Sequence, residues 1–222
     1  MSETPTPLKN AWYADLNPQQ QELIFEHSNL LEFKKDETII KQGYMADHIL
    51  YLEQGMAKLS VEDNERSTVF KIIAPESFIG LMCSFVKKNF DFSAVAIQPS
   101  TVRLIDRTIF EQMIRENGNF AVRIVQLMSL MTNKIVHDLV YLSHKNADGA
   151  ICTVLMELAS VFKSNTFQMP FSRIELANTV GYSKESVIGC LSSLQKEKII
   201  DVSGKKIEIL DARRLEIIAK NG

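Results

Sequence analysis

The sequence predicts an α+β protein: an antiparallel β-sandwich or barrel, then a long helix, then a small domain of short helices with a β-hairpin. Three observations carry this prediction. Residues 30–106 contain short segments rich in Val, Ile, Leu, Phe and Tyr that alternate with turn residues, as in antiparallel sandwiches and barrels. Residues from 120 to about 145 carry an apolar stripe at helical spacing. Residues 172–209 have the pattern of two short helices followed by two strands.

The composition excludes several classes of protein. The chain has 222 residues, of which 45% are apolar and 23% charged, enough for one large or two small globular domains. No apolar run approaches the ~20 residues that cross a bilayer, and the first ten residues lack the features of a signal peptide. Three widely spaced cysteines, Cys83, Cys152 and Cys190, argue against a disulfide framework. We therefore expect a cytoplasmic protein that does not bind a membrane.

The net charge is distributed unevenly along the chain. Residues 150–222 hold ten Lys and Arg and eight Asp and Glu, a balance of +2, whereas residues 1–149 carry −4. The difference is modest, and it is compatible with a nucleic-acid surface near the C-terminal end.

Turn residues and periodicity place the elements in order. Residues 17–29 have a helical pattern. The predicted strands are LLEF, ETII, HILYLEQG, AKLSVED, TVFKIIAP, SAVAI and TVRLID, with Gly43, Gly55 and Gly80 at strand boundaries. The segment RTIFEQMIRE predicts a short helix that ends at Asn117-Gly118. HKNADG is then a linker, and residues 150–163 form a further helix.

The long helix carries one continuous apolar stripe. Its members are spaced by three or four residues: Ile124, Met128, Met131, Ile135, Leu139 and Leu142. Such a stripe either packs against its own domain or forms the seam of a two-stranded coiled coil that joins two copies of the chain. The methionines of this stripe are adaptable and would fix the register of a seam only weakly.

Local signals near the C-terminal end predict a helix-turn-helix. Ser172 followed by Glu175 is the capping box that starts a helix, and Ala177 is small enough to let two helices cross closely. Gly181 can take the positive φ that ends this helix. Ser183 can then cap a second helix through its hydroxyl.

The second helix has an inward and an outward face. Val187, Leu191 and Leu194 share the inward face, so the residues between them point outward, where a recognition helix meets base edges in the major groove. The following segment KEKIIDVSGKKIEIL reads as a strand, a turn and a strand, a wing whose tip lysines can reach phosphates. The candidate DNA-contacting residues are Arg173, Ser183, Lys184, Glu185, Ser186, Ile188, Gly189, Ser192, Lys205 and Lys206.

This order of elements resembles the cyclic-AMP receptor protein and FNR family of bacterial transcription regulators. Three stretches carry the resemblance: GYMADHILYLEQG at 43–55, ESFIG at 76–80 and VGYSKESVIGCLSSLQKEKII at 180–200. The resemblance implies an N-terminal antiparallel β-roll of the cyclic-nucleotide-binding (jelly-roll) type, a long central dimerisation helix and a C-terminal winged helix-turn-helix. It also implies that the roll controls DNA binding and that the stripe of the long helix is the dimer interface.

The chain departs from the cyclic-nucleotide-binding members of the family at the pocket. Where those members have a glutamate for the ribose and an arginine for the cyclic phosphate, this chain has Leu81 and Phe92, and Ser93 follows Phe92. The hydroxyl residues that contact the purine correspond to Ile135 and Val136. A desolvated phosphate without a charged partner is costly, so we do not expect cyclic AMP to bind. These five residues either pack as core or form a pocket for an apolar or aromatic effector, haem included.

The sequence gives little support to a metal or haem site. An iron–sulfur cluster like that of the oxygen-sensing branch of the family is excluded, because no cysteine precedes Cys83. Met82 and Cys83 could offer a soft axial ligand to haem, with His48 or His137 as remote candidates. We predict no metal site and no bound cofactor.

The recognition helix departs from the family as well. Family members commonly present a glutamate and, four residues later, an arginine that reads guanine; this chain has Glu185 and Gly189. Glu185 is expected to accept a hydrogen bond from the cytosine amino group, and Ile188 could contact a thymine methyl. We therefore expect half-sites that differ from the well-known ones.

We predict a homodimeric transcription regulator that is not an enzyme. Its sensor would span residues 1–118, its dimerisation helix 119–145 and its DNA-binding domain 146–222. The expected partners are a pseudo-palindromic double-stranded DNA with half-sites about one helical turn apart, a second copy of the chain, and RNA polymerase as a further candidate.

Three other functions are considered beside this one. The first is a haem-containing redox or gas sensor of the same fold, and the second is an interaction protein that has lost DNA binding, which Gly189 would favour. The third is a cupin-like enzyme, which the single histidine among residues 30–106, His48, disfavours.

Overall fold

The computed structural model describes residues 12–64, 66–86 and 89–222, except for the side chains of Met82 and Cys83. The helices are α1 (Pro18–Glu26), α2 (Leu81–Ser84), α3 (Arg107–Glu116), α4 (Gly118–Ser143), α5 (Ala147–Phe162), α6 (Arg173–Val180), α7 (Lys184–Lys196) and α8 (Ala212–Asn221). The strands are β1 (Ser28–Phe33), β2 (Thr38–Ile40), β3 (His48–Gln54), β4 (Ala57–Asp63), β5 (Arg66–Ile73), β6 (Ser77–Ile79), β7 (Ser93–Ala96), β8 (Ser100–Asp106), β9 (Thr166–Gln168), β10 (Ile200–Ser203) and β11 (Lys206–Ile209).

Strands β1 to β8 form two four-stranded antiparallel sheets, which confirms the predicted β-roll. The strand orders are β1-β8-β3-β6 and β2-β7-β4-β5. Successive side chains of a strand point to opposite faces, and β3 follows this rule. Leu50 and Leu52 belong to the core inside the roll, whereas Ile49 and Tyr51 pack on the outer side of the first sheet.

A second core covers the outer face of that first sheet. Helices α1 and α3 and the start of α4 pack there around the aromatic side chains of Trp12, Phe78, Phe110 and Phe120. Phe110 is fully buried and lies against the other three rings. The long helix is thereby anchored to the sensor domain at its N-terminal end.

The first helix is shorter than the sequence predicted. The pattern indicated residues 17–29, but α1 ends at Glu26, after starting from the cap at Asn17. From Ser28 onward the chain pairs residue by residue with β8, as far as Phe33 opposite Ser100. The ladder of backbone hydrogen bonds to β8 therefore ends the helical pattern three residues early.

The third core belongs to the C-terminal domain. It is built from α5, α6, α7 and α8 with the three-stranded sheet β10-β11-β9. Helix α8 lies so close to α5 that a Cβ atom on Gly149 would stand 2.7 Å from the backbone of Gly222. Within the described ranges, no helix combines the length and the apolar character that a membrane crossing requires.

Gly80→Ala is expected to destabilise the roll by about 2–5 kcal/mol. Gly80 has φ +72°, and a Cβ atom there would stand 2.5 Å from Cζ of Phe92. The left-handed backbone costs a non-glycine residue ~1–2 kcal/mol, and overpacking adds ~1–3 kcal/mol. Urea unfolding measures the change.

The matched control is Gly189→Ala. Gly189 lies in α7, and a Cβ atom added to it would meet no neighbouring atom within 4 Å. Alanine there should therefore stabilise the helix by about 0.5–1 kcal/mol. If Gly80→Ala left the unfolding midpoint unchanged, the contact between Gly80 and Phe92 would not be the tight one described.

Candidate functional site

The helix-turn-helix is built by the local signals that the sequence contains. The Ser172 hydroxyl accepts from the Glu175 amide at 3.1 Å, and the Glu175 carboxylate accepts from the Ser172 amide at 2.7 Å, so the capping box is complete. Gly181 ends α6 at φ 76°. Ser183 caps α7 by accepting from the Ser186 amide at 3.0 Å.

Helix α7 has one buried and one exposed face. Val187, Leu191 and Leu194 are buried in the C-terminal core, as the sequence predicted. The opposite face exposes five of the predicted residues to solvent: Lys184, Glu185, Ile188, Gly189 and Ser192. A buried back and an exposed N-terminal face leave the helix free to enter a groove.

Two predicted side chains on this helix are engaged locally. The Ser192 hydroxyl donates to the carbonyl of Ile188 at 2.8 Å. The half-buried Ser186 lies 3.0 Å, hydroxyl to hydroxyl, from the capping Ser183. Ser183 and Ser186 thus fix the first turn of α7, and Ser192 is available to a partner only at the cost of its bond within the helix.

Cys190 is a packing residue. It is buried beside Cys152 of α5. The hydrogen bond with Cys152 and burial both raise the pKa of the Cys190 thiol above its ordinary value. Because the thiolate is the reactive form, this thiol is inert at neutral pH.

The hairpin β10-β11 forms the predicted wing. The strands pair antiparallel from Ile200 opposite Ile209 to Ser203 opposite Lys206. Lys205 and Lys206 lie at the exposed tip, and the Lys206 ammonium is 3.9 Å from the Glu208 carboxylate.

The remaining candidate, Arg173, is half-buried at the first position of α6. Burial lowers the pKa of its guanidinium, which still carries its charge at neutral pH. The partly covered side chain is therefore less open to a partner than those at the wing tip.

Helix α6 is also hydrogen-bonded to the sensor domain. Asn178 donates from Nδ2 to the Ser67 carbonyl at 2.9 Å, and Thr179 donates from Oγ1 to the Val69 carbonyl at 2.8 Å. The Lys58 ammonium reaches Glu175 at 2.5 Å. Both acceptor carbonyls belong to β5, so this strand is a direct link between the roll and the helix-turn-helix.

Glu175 has two roles in this link. Burial alone would raise the pKa of its carboxyl, but the hydrogen bonds from Lys58 and Ser172 outweigh burial and hold the pKa below its ordinary value. The carboxylate therefore stays charged at neutral pH, where it both starts α6 and binds the sensor domain.

In the single chain, most of the stripe assigned to the dimer interface is covered by the chain's own residues. Ile124 is 3% exposed and belongs to the core around Phe110. Met128 packs against the same core, and Leu142 packs against the C-terminal core. Met131 lines a cavity within the chain, Ile135 is half-buried, and only Leu139 of the six is largely exposed. Apart from Leu139, which the two stripes of α4 share, the predicted stripe faces its own chain.

A different stripe of α4 is apolar and exposed. Val122, Val125, Val136 and Leu139 are 54–62% exposed. With Ser129 and Thr132 they follow the alternating spacing of three and four residues that marks a coiled-coil seam. Since each residue turns the helix by about 100°, this stripe lies roughly a quarter of a turn or more from the predicted one. Sequence periodicity contained this signal, but the apolar residues of the other stripe obscured it.

The predicted effector pocket is not assembled. Leu81 is fully buried in the outer core, whereas Phe92 packs inside the roll against Phe90. The Ser93 hydroxyl is buried and accepts from the backbone amide of Gln42 at 3.1 Å. On α4, Ile135 is half-buried and Val136 faces solvent. The five side chains belong to different environments: Leu81, Phe92 and Ser93 are packed as core, and Val136 is not.

A cavity of about 830 Å³ lies elsewhere, and none of those five residues lines it. Its walls include Trp12, Tyr51, Lys71, Lys134 and Glu157. Sequence patterns did not predict this cavity because its walls come from segments far apart in the chain. One local signal was present: Lys71 interrupts the apolar strand TVFKII.

Of the candidate haem ligands, the structure describes the side chains of His48 and His137 only. The side chains of Met82 and Cys83 lie outside the described residues. His48 has its Nδ1 atom 2.8 Å from the Asp47 carboxylate. The His137 side chain is 80% exposed and stacks on Tyr141. Among the described residues, no group of three His, Cys, Asp or Glu side chains is placed to hold a metal ion.

Comparisons with known proteins agree with the fold and with the helix-turn-helix. A family model described as a cyclic nucleotide-binding domain matches residues 30–117, and one described as a Crp-like helix-turn-helix domain matches residues 149–218. Together they span more than half of the chain.

Curated relatives are regulators by name. The transcriptional activator protein FnrA of Stutzerimonas stutzeri is 27% identical over 194 residues, which cover 81% of this chain and 75% of FnrA. The cAMP-activated global transcriptional regulator CRP of Salmonella typhimurium is 24% identical over 201 residues, which cover 86% of this chain and 94% of CRP.

Solved structures share the fold. A Crp/Fnr-family transcriptional regulator from Eubacterium rectale superposes with a TM-score of 0.81 at 20% identity, covering 96% of this chain and 99% of that one. The superposition covers the roll, the long helix and the winged helix-turn-helix, and the two family models match the roll and the helix-turn-helix. The chain therefore belongs to the Crp/Fnr family of DNA-binding transcription regulators.

Proposed function

We propose that this regulator binds double-stranded DNA as a homodimer, with α7 of each subunit in the major groove, and that its sensor domain does not respond to cyclic nucleotides. The observation that carries the proposal is the division of α7 into a buried face and an exposed face. The exposed face begins at the cap Ser183 and presents Glu185 in the first turn. Such N-terminal residues of a recognition helix contact base edges.

The proposed contacts divide into two chemical kinds. Glu185 can only accept hydrogen bonds, so it suits the cytosine amino group, and the exposed Ile188 suits a thymine methyl. Gly189 brings no side chain and lets the helix approach closely. Phosphates position the protein but carry no sequence information. The charge for them is supplied by Lys184, Lys205, Lys206 and Arg173.

The homodimer is proposed to form through the exposed stripe of α4. Dimers are typical of the family, and Val122, Val125, Val136 and Leu139 form an apolar surface that the described part of the chain leaves uncovered. Pairing two such helices buries this surface at coiled-coil spacing. The two α7 helices can then meet half-sites about one helical turn apart on a pseudo-palindrome.

Cyclic AMP is expected to leave DNA binding unchanged. The interior of the roll is packed by Phe90 and Phe92, and Leu81 is fully buried in the outer core. No charged side chain is buried inside the roll among the described residues, so a cyclic phosphate would be desolvated without a partner. Calorimetry with and without the nucleotide, together with a DNA-shift assay, measures this. Micromolar binding or a clear gain in DNA affinity would contradict it.

The remaining parts of the proposal follow from DNA binding. A regulator of this family acts where chromosomal DNA is, so we place it in the cytoplasm, with RNA polymerase as a candidate partner at promoters. We assign it no catalytic role, in keeping with relatives that are named as transcription regulators, and no haem, because His48 is hydrogen-bonded to Asp47 and the His137 side chain is 80% exposed.

Glu185→Ala should relax base preference at one base pair of each half-site. Losing a base contact changes discrimination by ~1–3 kcal/mol, and the salt dependence should stay unchanged because the variant keeps every phosphate contact. Affinity for matched and mismatched sites across a salt titration measures both quantities. Glu22→Ala on α1 removes the same charge from an exposed position and should leave discrimination unchanged.

Lys205→Ala combined with Lys206→Ala should weaken binding to all DNA about equally. Removing one phosphate contact lowers the slope of log affinity against log salt by roughly 0.9. Lys34→Ala with Lys35→Ala, both exposed on the roll, is the matched control and should leave the slope unchanged. A wing variant that keeps the full slope would remove these lysines from the interface.

The experiment that tests the proposed function is selection of DNA fragments in vitro by the purified protein, followed by sequencing. We expect a pseudo-palindromic motif whose half-sites are separated by about one helical turn. Enrichment of no sequence, or of a single half-site, would contradict the proposal. Enrichment of no DNA at all would favour an interaction protein of the same fold.

A further inference from the structure

The cavity outside the roll lies where the sensor domain meets the long helix and the DNA-binding domain. Its volume of about 830 Å³ is within the range of small-molecule sites. Its walls come from the segment before α1, the outer side of β3 and β8, the end of β5, and helices α4 and α5. The roll interior, filled by Phe90 and Phe92, is a separate place.

One side of the cavity is aromatic. Trp12, Tyr51 and Phe78 line it together, with ring centroids 5.7 Å apart between Trp12 and Tyr51 and 5.0 Å between Tyr51 and Phe78. Burial and the nearby Glu76 carboxylate raise the pKa of Tyr51 to about 12. The phenol therefore keeps its proton and can donate a hydrogen bond. This side suits the planar apolar body of a ligand.

The other side of the cavity carries Lys71 and Lys134 together with Glu157. The Lys71 side chain of β5 is half-buried, and among the described residues no carboxylate oxygen lies within 4.0 Å of its ammonium. Its neighbour Lys134 on α4 forms ion pairs with the nearby carboxylates of Asp138 at 2.8 Å and Glu157 at 3.4 Å. Burial and the charge of Lys134 lower the pKa of Lys71. An anion placed between these lysines would relieve both effects.

The two arginines of the cavity are already compensated. Arg103 donates from Nε to the Glu53 carboxylate at 2.6 Å, and Arg123 pairs with Asp15. Within the described ranges, Lys71 is thus the cavity's cation without an ion-pair partner. The Lys71 ammonium is therefore the group that the acidic group of an anionic ligand would contact.

We propose that this cavity binds a small organic anion whose planar apolar body lies on the aromatic side and whose acidic group contacts Lys71. The ligand would also reach the DNA-binding domain, because Lys71 stands two residues after Val69, whose carbonyl accepts from Thr179 of α6. That regulatory role rests on the proposed function, whereas the binding itself does not.

The test uses a fluorescent probe of this chemistry, 8-anilinonaphthalene-1-sulfonate, titrated into the full chain. An uncharged analogue of similar shape, N-phenyl-1-naphthylamine, reports on the apolar side alone. Lys71→Met removes the charge while keeping an unbranched apolar chain, and Lys35→Met makes the same exchange at an exposed site of the roll. Leu127→Trp, at a half-buried position of the lining, fills part of the cavity.

The sulfonate should bind one molecule per chain. Lys71→Met should lower the affinity for the sulfonate at least tenfold. The affinity of this variant for the uncharged analogue should stay within twofold of the wild type. Lys35→Met should change neither probe, and Leu127→Trp should weaken both at least tenfold. The proposal is overturned if Lys71→Met binds the sulfonate like the wild type, or weakens both probes equally. It is also overturned if Leu127→Trp leaves both unchanged.

Measurements of DNA binding distinguish a failure of the ligand site from a failure of the proposed function. Without a probe, Lys71→Met should bind the selected DNA within twofold of the wild type. With the sulfonate bound, the affinity of the wild type for DNA should change, and DNA should change its affinity for the probe by the same factor. Equal DNA affinity with and without the probe would refute the regulatory role. If the wild type bound no DNA, the proposed function would fail, and the probe titrations would still decide the site.

Discussion

Val136→Glu is expected to convert the homodimer into monomers and to lower affinity for a palindromic site by at least about 100-fold. Val136 lies within the exposed stripe of α4 and is 54% exposed in the single chain. At a two-fold seam each glutamate would be buried near its twin, and a buried charge without a partner is costly. Joining two half-site binders adds ~10²–10⁴ in affinity, which monomers lose. Sedimentation velocity and DNA titration measure the two effects.

His137→Glu is the matched control for this variant. It introduces the same charge one position further on, where the side chain is 80% exposed and turns away from the stripe. This variant should remain a dimer with the DNA affinity of the wild type. A Val136→Glu protein that still sedimented as a dimer would refute the seam proposed for α4.

Phe110→Ala is expected to destabilise the sensor domain by about 3–5 kcal/mol, the usual cost of deleting a buried aromatic ring. Phe110 is fully buried, and the rings of Trp12, Phe78 and Phe120 lie within 5.8 Å of it, centroid to centroid. This loss is a large part of the ~5–15 kcal/mol that stabilises a typical domain. Urea unfolding followed by the fluorescence of Trp12, the only tryptophan, reports on this core directly.

Two controls locate the effect of Phe110→Ala. Phe110→Leu keeps most of the apolar volume and should cost clearly less than the alanine variant. Leu158→Ala, in the separate C-terminal core, should leave the transition seen by Trp12 in place. Equal shifts of that transition by Phe110→Ala and Leu158→Ala would mean that the two domains unfold as one unit.

The helix-turn-helix could be predicted from sequence because its signals are local. Ser172 and Glu175 are three residues apart, and Gly181 and Ser183 each act on the helix end beside them. Capping and positive φ depend on few neighbours. Strand positions in the roll were also predictable, since turn residues separate them. The inward and outward faces of α7 could be predicted as well, because they follow from the spacing of apolar residues within this one helix.

The face of α4 and the site on the sensor could not be predicted in the same way. The helix has two apolar stripes, and only the fold reveals that Ile124 meets Phe110 while Val125 meets solvent. The cavity joins Trp12 to Glu157, residues that no sequence pattern relates. The residues inferred to form an effector pocket lie in different environments. Resemblance to a family indicates which residue stands at each position, but it does not indicate in which direction a side chain such as Phe92 packs.

The contacts of α6 with β4 and β5 would set a population balance between two arrangements of the protein. The bonds from Asn178 and Thr179 and the Lys58–Glu175 pair contribute ~0.5–1.5 kcal/mol each, or about 2–4 kcal/mol together. At that energy, roughly 0.1–3% of molecules would have the helix-turn-helix released from the roll at any moment. DNA or an effector that favoured the released arrangement by a few kcal/mol would make it the major one. The regulator would thus be switched by shifting the balance between two arrangements, and release would also uncover Val69 of β5, which packs in the C-terminal core.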